Sequence, residues 1–246
     1  MNKLIIANWK MNGSLAKITQ DLSAYTTNPI SNQANVAVAL PMLYIPTAAQ
    51  IIAANQSKLS LACQDVSKFA NHGAYTGEIS GEMLKEFKVR YAIIGHSERR
   101  MFLHENNHTL IKKMDEAITS GLIPVFCIGE EKSVRTSGKY IEFLTTQLEL
   151  LHQVEEPITQ LVIAYEPIWS IGTHVLPSPQ EIMEIMQLIH TFVQNYLPHA
   201  KITALYGGSV GANNAKEILS LQGVAGVLVG GASLNVDDFT AICSAI

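Results

Sequence analysis

LVIAYEP, residues 161 to 167, is an apolar run that ends abruptly at a carboxylate and a proline. Runs without alternation of polar and apolar residues are typical of parallel strands that are buried on both faces. Runs of the same character are spread along the rest of the chain. They are KLIIANW (3 to 9), VAVALP (36 to 41), LSLACQD (59 to 65), RYAIIGHS (90 to 97), LIPVFCIGE (122 to 130), ITALYGG (202 to 208) and GVLVGGA (226 to 232).

The segments between these runs have the periodicity of helices. In one of them, Ser178, Pro179 and Glu181 suit an N-cap, a first helical position and an early negative charge. The segment from 107 to 119 is followed by Gly121, a suitable C-terminal cap. In the segment from 15 to 27 the apolar stripe consists of Leu15, Ile18, Leu22 and Tyr25.

Strand–helix alternation repeated eight times predicts the α/β class and a closed (β/α)8 barrel of parallel strands. We expect a single domain over residues 1 to 246. A doubly wound open sheet is the alternative. Such a sheet usually carries a Gly-rich fingerprint after its first strand, and NWKMNG (8 to 13) is not one.

The composition argues against several classes of protein. Of the 246 residues, 48% are hydrophobic and 15% are charged, which suits a large buried core. The net charge is −4 and Lys and Arg are not clustered, so nucleic-acid binding is not expected. No apolar stretch approaches the length of a membrane span, and the N-terminal one is too short for a signal peptide.

Cysteine usage indicates the compartment. The three cysteines are Cys63, Cys127 and Cys243, an odd number without the spacing of a zinc site. Cys63 and Cys127 lie within apolar runs, so we interpret them as buried thiols in a reducing environment. A cytoplasmic location is expected, and no metal site is predicted.

Polar residues and glycines follow most of the runs. In a closed parallel barrel the carboxyl ends of the strands form the reactive face, so these residues are predicted to converge on one rim. They are Asn8, Lys10, Gln64, Asp65, His96, Glu130 and Glu166, with GGS (207 to 209) and GGAS (230 to 233).

Glu166 follows a buried run and precedes a proline that stiffens the chain. A glutamate at a strand end is commonly half of a salt bridge. Apolar surroundings, however, disfavour its ionised form and would raise its pKa toward that of a general base near neutral pH. We therefore predict that Glu166 is a catalytic base.

His96 and Lys10 have chemistry that complements a base. His96 precedes residues that suit the first turn of a helix, whose N-terminus disfavours a protonated imidazole. A neutral His96 would donate a hydrogen bond to a carbonyl oxygen, although many such histidines are structural. Lys10 lies just beyond the first run, where it would attract an anion and stabilise an oxyanion, although most lysines are merely solvated.

YGGS (206 to 209) and VGGAS (229 to 233) follow the last two runs. Barrel enzymes commonly hold phosphate there, on backbone N–H groups that glycine allows to come close. No nucleotide fingerprint is present, so the predicted ligand is a small phosphate ester, and no cofactor is expected. Together these parts suit proton transfer next to a carbonyl, through an enediolate.

Several segments, taken together, resemble the triosephosphate isomerase family over nearly the whole chain. The resemblance implies a TIM barrel, the fold named after this family. It also implies an isomerase of glycolysis and gluconeogenesis that interconverts dihydroxyacetone phosphate and D-glyceraldehyde 3-phosphate. The segments are NWKMNG (8 to 13), GAYTGEIS (73 to 80), GHSERR (95 to 100), CIGE (127 to 130), AYEPIWSIGT (164 to 173), YGGSV (206 to 210) and LVGGASL (228 to 234).

The resemblance implies roles for individual residues. Glu166 would move a carbon-bound proton, His96 would polarise the carbonyl and shuttle protons between the oxygens, and Lys10 would stabilise the developing charge. Substrate binding would fall to Asn8, Lys10, Gly172, Ser209, Gly230 and Gly231. Residues that support or enclose the site would be Glu98, Ile171 and Leu234.

In the family the loop after the sixth strand is a lid, and PIW (167 to 169) corresponds to its first hinge. A lid protects an enediolate that would expel its phosphate in water. The chain departs from the family pattern at Ser170, at His174 and at VLP (175 to 177). If position 174 needs positive φ, His174 costs on the order of 1 kcal/mol, and Pro177 stiffens the second hinge. We predict a working lid with altered opening kinetics.

HGAYTGEIS (72 to 80) is long for a connection between a strand and a helix. In the family this loop reaches the active site of a neighbouring subunit, and Thr76 corresponds to its threonine. The resemblance therefore implies a homodimer.

Two other functions stay open on the sequence alone. Another barrel enzyme of phosphorylated metabolites, such as an aldolase or a synthase, would share the phosphate cradle. A Schiff-base aldolase would need a lysine deep in a central strand, and none is expected in strands four to eight. The third possibility is a barrel whose altered lid leaves it as a binding protein.

Overall fold

A computed structural model describes residues 2 to 27, 34 to 70, 72 to 171 and 175 to 246. Within them, eight strands close into a barrel in which each strand is parallel to both of its neighbours. The prediction of a closed (β/α)8 barrel is confirmed, and the open sheet is excluded. The strands are β1 (Lys3–Asn8), β2 (Ala34–Leu40), β3 (Ser60–Cys63), β4 (Val89–Ile94), β5 (Ile123–Ile128), β6 (Gln160–Tyr165), β7 (Lys201–Tyr206) and β8 (Gly226–Val229).

Helices surround this barrel and alternate with its strands. They are α1 (Leu15–Thr27), α2 (Ile45–Ala54), α3 (Gly81–Glu86), α4 (Ser97–Phe102), α5 (Asn107–Thr119), α6 (Lys132–Thr136), α7 (Tyr140–Leu148), α8 (Pro179–Tyr196), α9 (Ala215–Ser220) and α10 (Val236–Cys243). None of the described helices is both long enough and apolar enough to cross a membrane.

Both faces of the strands are covered, as the unbroken apolar runs predict. In β6, Val162 and Ala164 belong to the cluster inside the barrel, whereas Leu161, Ile163 and Tyr165 pack in the layer between barrel and helices. From Leu161 to Tyr165 both faces of β6 are buried, and a charged residue follows only where the strand ends.

The barrel closes between β8 and β1, where Leu4 pairs with Gly226. A Cβ atom at Gly226 would overlap the carbonyl oxygen of Leu4. Glycine is therefore required for the two backbones to approach this closely.

The predicted helix ends are confirmed with one difference in packing. Ser178 and Glu181 form a capping box at the start of α8, and Gly121 follows α5 with a φ of 71°. Leu15 belongs to the predicted apolar stripe but is 62% exposed, because α1 packs on the barrel only from Ile18 onward.

The predictions for the cysteines and for the lysines of the later strands can also be compared with the structure. Cys63 and Cys127 are buried free thiols, as predicted, and Cys243 is buried as well. One lysine, Lys201, is the first residue of β7. Lys201 is exposed at the amino end of the strand, opposite the reactive rim, so it does not occupy the deep position of a Schiff-base lysine.

Candidate active site

A cavity of about 670 Å³ lies at the carboxyl ends of the strands. Most of the predicted site residues line it, although they come from different strands. Those residues are Asn8, Lys10, His96, Glu166, Ile171, Ser209, Gly230 and Gly231. Glu98, Leu234 and Thr76 do not line the cavity. Gly172 lies outside the described residues.

Glu166 and His96 face each other in this cavity and are almost fully buried. The His96 Nε2 atom lies 3.0 Å from Oε1 of Glu166. The other carboxylate oxygen accepts a hydrogen bond of 2.9 Å from the backbone N–H of Ser97. The backbone N–H of Glu166 donates to the carbonyl oxygen of Ile128, which fixes the end of β6 against β5. The carboxylate is thus held by α4 and its cap and not by solvent.

The hydrogen bonds of His96 fit a neutral ring. Its Nδ1 atom accepts from the backbone N–H of Glu98 at 3.3 Å, so the ring proton lies on Nε2 and is donated to Glu166. Burial lowers the pKa of His96, but the carboxylate of Glu166 outweighs burial and the pKa lies above its ordinary value.

The expectation of a raised pKa for Glu166 is wrong in this arrangement. Burial raises the pKa, but His96, the Ser97 N–H and Lys10 together bring it below the ordinary value of a glutamate. An apolar run precedes Glu166 in the chain, but the carboxylate itself is turned toward hydrogen-bond donors.

Lys10 is held in a strained backbone conformation at the edge of the cavity. Its φ is 50°, in the left-handed region, which costs a residue with a side chain about 1 kcal/mol. The Asn8 Oδ1 atom accepts from the Lys10 N–H at 3.0 Å, and the Gln64 amide donates to its carbonyl at 2.9 Å. The Lys10 ammonium contacts the carboxylate of Glu98 at 2.5 Å. Asn8, Gln64 and Glu98 therefore position Lys10.

The opposite wall of the cavity consists of the glycine loops after β7 and β8. The Ser209 hydroxyl donates to the carbonyl of Ser170 at 2.8 Å, while its backbone N–H has no acceptor among the described residues. Gly231 begins a single 3-10 turn, so its N–H has no acceptor within that turn. A Cβ atom at Gly230 would lie 3.3 Å from the Lys10 side chain. These free N–H groups beside a lysine make an anion site.

Two polar residues brace the site: Asn214, which was not predicted, and Gln64, which was predicted only as a rim residue. Asn214 accepts from the Gly211 N–H at 2.8 Å and donates to the Ser209 carbonyl at 3.2 Å, so it shapes the loop after β7. The stretch GANN (211 to 214) has the composition of a turn, but that composition does not single out Asn214. Gln64 was placed on the rim, but its bond to the Lys10 backbone has no signature in sequence.

Two predicted rim carboxylates serve the scaffold and do not line the cavity. Glu130 is fully buried and accepts hydrogen bonds of 3.0 Å from Tyr165 and from the Trp169 indole, so it holds the segment that follows β6. Burial raises its pKa. Asp65 contacts the Lys113 ammonium at 2.5 Å.

The arrangement supports acid–base chemistry on an anionic substrate. A carboxylate and an imidazole share a hydrogen bond in a site shielded from solvent, a cation lies beside them, and unpaired N–H groups form the far wall. No group of three or more described His, Cys, Asp or Glu residues is placed to hold a metal ion together.

Comparison with known proteins identifies the family. The family model described as triosephosphate isomerase matches residues 3 to 246. The chain belongs to the triosephosphate isomerase family. Proteins named triosephosphate isomerase from Delftia acidovorans and Francisella philomiragia are each 40% identical to it, covering 99% and 98% of this chain and 98% and 96% of the relatives. The one from Neisseria meningitidis is 38% identical over 99% of this chain and 97% of the relative.

The loop after β6, which is the lid in triosephosphate isomerases, is described in part. Ser170 is fully buried, and its carbonyl accepts the Ser209 bond, so the first hinge is tied to the loop after β7. Ile171 and Leu176 both line the cavity from the two sides of the loop. His174, at which the chain departs from the triosephosphate isomerase pattern, lies outside the described residues.

Proposed function

We propose that this chain interconverts dihydroxyacetone phosphate and D-glyceraldehyde 3-phosphate by proton transfer through an enediolate. The observation that carries the proposal is the 3.0 Å contact between Glu166 and His96 in a cavity whose opposite wall offers unpaired backbone N–H groups. Membership of the triosephosphate isomerase family over residues 3 to 246 supports it.

The phosphate of the substrate binds to the glycine wall. The backbone N–H groups of Ser209, Gly230 and Gly231 donate to its oxygens, and Gly172 has the phosphate-binding role that the family resemblance implies. Fixed N–H dipoles hold a phosphate without large rearrangement, and Asn214 keeps the loop in shape. The carbon skeleton then extends toward β1, β4 and β6.

Lys10 and His96 act on the oxygens of the substrate. The neutral His96 donates from Nε2 to the carbonyl oxygen, which the same nitrogen can do once Glu166 has turned away. Lys10 and Asn8 stabilise the negative charge that develops there. With Glu166 displaced, burial dominates the pKa of His96 and lowers it, so the ring stays neutral.

Glu166 is the base, and it has to change partners before it acts. Its two oxygens are occupied by the Ser97 N–H and the His96 ring. When the carboxylate rotates to the substrate it loses these donors but stays buried, so its pKa rises. It then takes a proton from carbon 1 and returns it to carbon 2. His96 meanwhile moves a proton from the oxygen on carbon 1 to that on carbon 2.

The loop after β6 closes over this chemistry. Closure brings Ile171 against the base and excludes the water that would promote loss of phosphate from the enediolate. Leu234 is assigned to the same enclosure, although it lies outside the cavity lining before closure. Pro177 stiffens the second hinge and His174 replaces the glycine of the family pattern, so we expect altered opening kinetics, which loop relaxation rates on His174→Gly and Pro177→Ala test. Unchanged loop relaxation rates and turnover in both variants would contradict altered opening kinetics.

A coupled assay with glyceraldehyde 3-phosphate on the wild type and Glu166→Gln tests the function. The variant keeps the size of the side chain and the Ser97 contact but cannot accept a proton. We expect isomerase activity in the wild type and a loss on the order of 10³-fold or more in the variant. A wild type without isomerase activity would favour a binding protein or a different barrel enzyme.

We further propose that the protein is a homodimer. The loop from 72 to 80 is exposed from residue 72 to 78, and the Tyr75 ring stacks on the Phe69 ring with centroids 3.9 Å apart. Met11, which follows Lys10, is 95% exposed. Thr76 of one copy would lie beside Lys10 of the other, so dimerisation would brace the site. Sedimentation velocity tests this, and a stable, fully active monomer would refute it.

A cytoplasmic location completes the proposal. Free buried thiols are typical of a reducing compartment, and a phosphorylated triose is an intracellular metabolite. Fractionation of cells that express the tagged chain tests this, with enrichment in the soluble fraction expected.

A further inference from the structure

A second cavity, of about 570 Å³, lies at the amino ends of the strands, at the opposite pole from the active site. Leu4, Tyr91 and Val162 form its floor, and they are part of the apolar layer inside the barrel. The volume is within the range of pockets that bind small organic ligands. The proposed isomerase chemistry makes no use of this cavity.

The alternation of the strands places a polar ring below the apolar layer. Side chains two residues before an inward-facing position share its face, so the residues that precede the interior layer point into the cavity mouth. This applies to Asn2, Asn35, Gln160 and Thr203. None of these side chains makes a hydrogen bond within the described part of the chain, and neither does the Tyr91 hydroxyl. The mouth therefore offers several free donors.

Three cations line this cavity, and none has a carboxylate partner. Lys3, Arg90 and Lys201 form no ion pair with any described carboxylate. The Lys3 ammonium donates to the Val224 carbonyl at 2.6 Å, and the Arg90 guanidinium lies 5.4 Å from the centre of the Tyr91 ring. Each of these two cations therefore has a defined contact at the cavity wall.

Acidic residues are absent from the lining of this cavity, within the described residues. The chain as a whole has 21 acidic and 17 basic residues, so a pocket with three cations and no acid runs against its overall balance. Converging cations with low-dielectric walls raise the local concentration of anions. One cation would suit a single charge, whereas three around one mouth suit several.

We propose that the cavity formed by Lys3, Arg90 and Lys201 with the polar ring binds a small polyanion that carries at least two phosphate or carboxylate groups. The anion lies in the mouth between the cations, and the carboxamide and hydroxyl groups donate to its remaining oxygens. Arg90 supplies the planar, two-pronged donor that fits such oxygens best.

Calorimetric titration at fixed ionic strength tests the proposal, with inorganic pyrophosphate and citrate as separate probes. Saturating glycerol 3-phosphate, which resembles the substrate but has no carbonyl to isomerise, fills the phosphate cradle at the other pole. We expect one saturable site per chain for at least one probe. Tighter binding of pyrophosphate identifies phosphate as the natural group, and tighter binding of citrate identifies carboxylate.

Two charge-matched double variants locate the site. Arg90→Gln/Lys201→Gln should weaken binding by about tenfold or more, because two charge-assisted bonds are lost. Lys139→Gln/Lys216→Gln removes the same charge from exposed positions elsewhere and should change binding by less than about twofold. Both should keep the wild-type isomerase activity, which also shows that they fold.

The proposal is overturned by three results. They are no saturable binding of either probe, complete displacement of the probe by glycerol 3-phosphate, and equal weakening in both double variants. If Arg90→Gln does not fold, backbone amide shifts of Tyr91 and Thr203 in the wild type replace the variant, and probe titration must move them. A wild-type protein that binds a probe here without isomerase activity would contradict the proposed function and leave this site intact.

Discussion

The two ends of the barrel are built from the same strands, but the charged side chains at each end have different partners. At the carboxyl end the Lys10 ammonium contacts Glu98, and the His96 ring contacts Glu166. At the amino end the cations have no carboxylate partner among the described residues. Charges at the carboxyl end are paired with opposite charges, whereas those at the amino end contact only neutral groups such as the Val224 carbonyl and the Tyr91 ring. A change at the first end should alter a rate, and a change at the second only the binding of ions.

The backbone shows the same contrast. Lys10 adopts a left-handed conformation with a φ of 50°, which Asn8 and Gln64 maintain. Lys3 and Lys201 lie within extended strands. Backbone strain is therefore found at the cation that lines the active-site cavity and is absent where a strand simply begins.

The largest expected effect is a difference in kcat between two histidine variants, one at each end of the barrel. His96→Gln keeps a hydrogen-bond donor but cannot carry protons between two oxygens, so kcat should fall by about 10²-fold or more. His190→Gln at the amino end, where the ring contacts the Gly223 carbonyl, should leave kcat within about twofold. Steady-state kinetics measures both values of kcat. Equal losses of kcat would show that the two ends do not differ in their part in catalysis.

The next effect separates two lysines. Lys10→Met keeps the length of the side chain and removes the charge that stabilises the oxyanion, so kcat/KM should fall by about 10²-fold. Lys3→Met at the amino end should leave kcat/KM unchanged within about twofold. An isomerase that tolerates Lys10→Met would show that the cation has no part in the chemistry.

A smaller effect concerns protonation. Because Glu166 raises the pKa of His96, the histidine resonance should titrate at lower pH in Glu166→Gln, where burial dominates. An NMR titration of both proteins measures this shift. A His96 pKa that does not move would mean that the 3.0 Å contact does not persist in solution.

The same pair makes stability depend on pH. The pKa of Glu166 is lowered, so its contribution to the free energy of unfolding is present above the ordinary value of about 4.3 and is lost as pH falls through the lowered pKa. The pKa of His96 is raised, so its contribution is present below about 6.5 and is lost as pH rises through the raised pKa. Urea unfolding from pH 3 to 9 should give a flatter profile for Glu166→Gln than for the wild type.

The smallest effect tests backbone strain. At position 10, glycine accepts positive φ, so Lys10→Gly should be more stable than Lys10→Ala by about 1 kcal/mol. At position 3, inside β1, the order should reverse, with Lys3→Gly less stable than Lys3→Ala by about 0.5–1 kcal/mol. Chemical denaturation of the four variants measures both differences. The same sign at both positions would contradict the contrast.

Much of the architecture could be predicted because it depends on local pattern. Unbroken apolar runs such as LVIAYEP indicate strands without a wet face, and Ser178 with Glu181 forms the capping box where the spacing indicates one. The rule that parallel strands meet at their carboxyl ends then places His96 and Glu166 in one cavity. The family resemblance supplied the individual roles.

What could not be predicted depends on contacts across the barrel. The pattern does not say which way the Glu166 carboxylate turns, so its bonds to Ser97 and His96, and the direction of its pKa, were missed. Nothing in the sequence around Lys10, which lies between a tryptophan and a methionine, indicates its positive φ. The amino-end cavity was missed because most of its polar residues lie at or near the start of a strand, where polar residues are common, and only closure of the barrel brings them together.

The most direct test of the central claim, that Glu166 carries one proton between adjacent carbons, is isomerisation of dihydroxyacetone phosphate in D₂O. A carboxylic acid that exchanges with solvent during the enediolate stage delivers deuterium to the carbon next to the aldehyde. We predict deuterium at that carbon in the glyceraldehyde 3-phosphate formed by the wild type, and neither product nor deuterium at a comparable rate with Glu166→Gln. Product formed at full rate without any deuterium would indicate transfer of hydride between the carbons and would contradict the account.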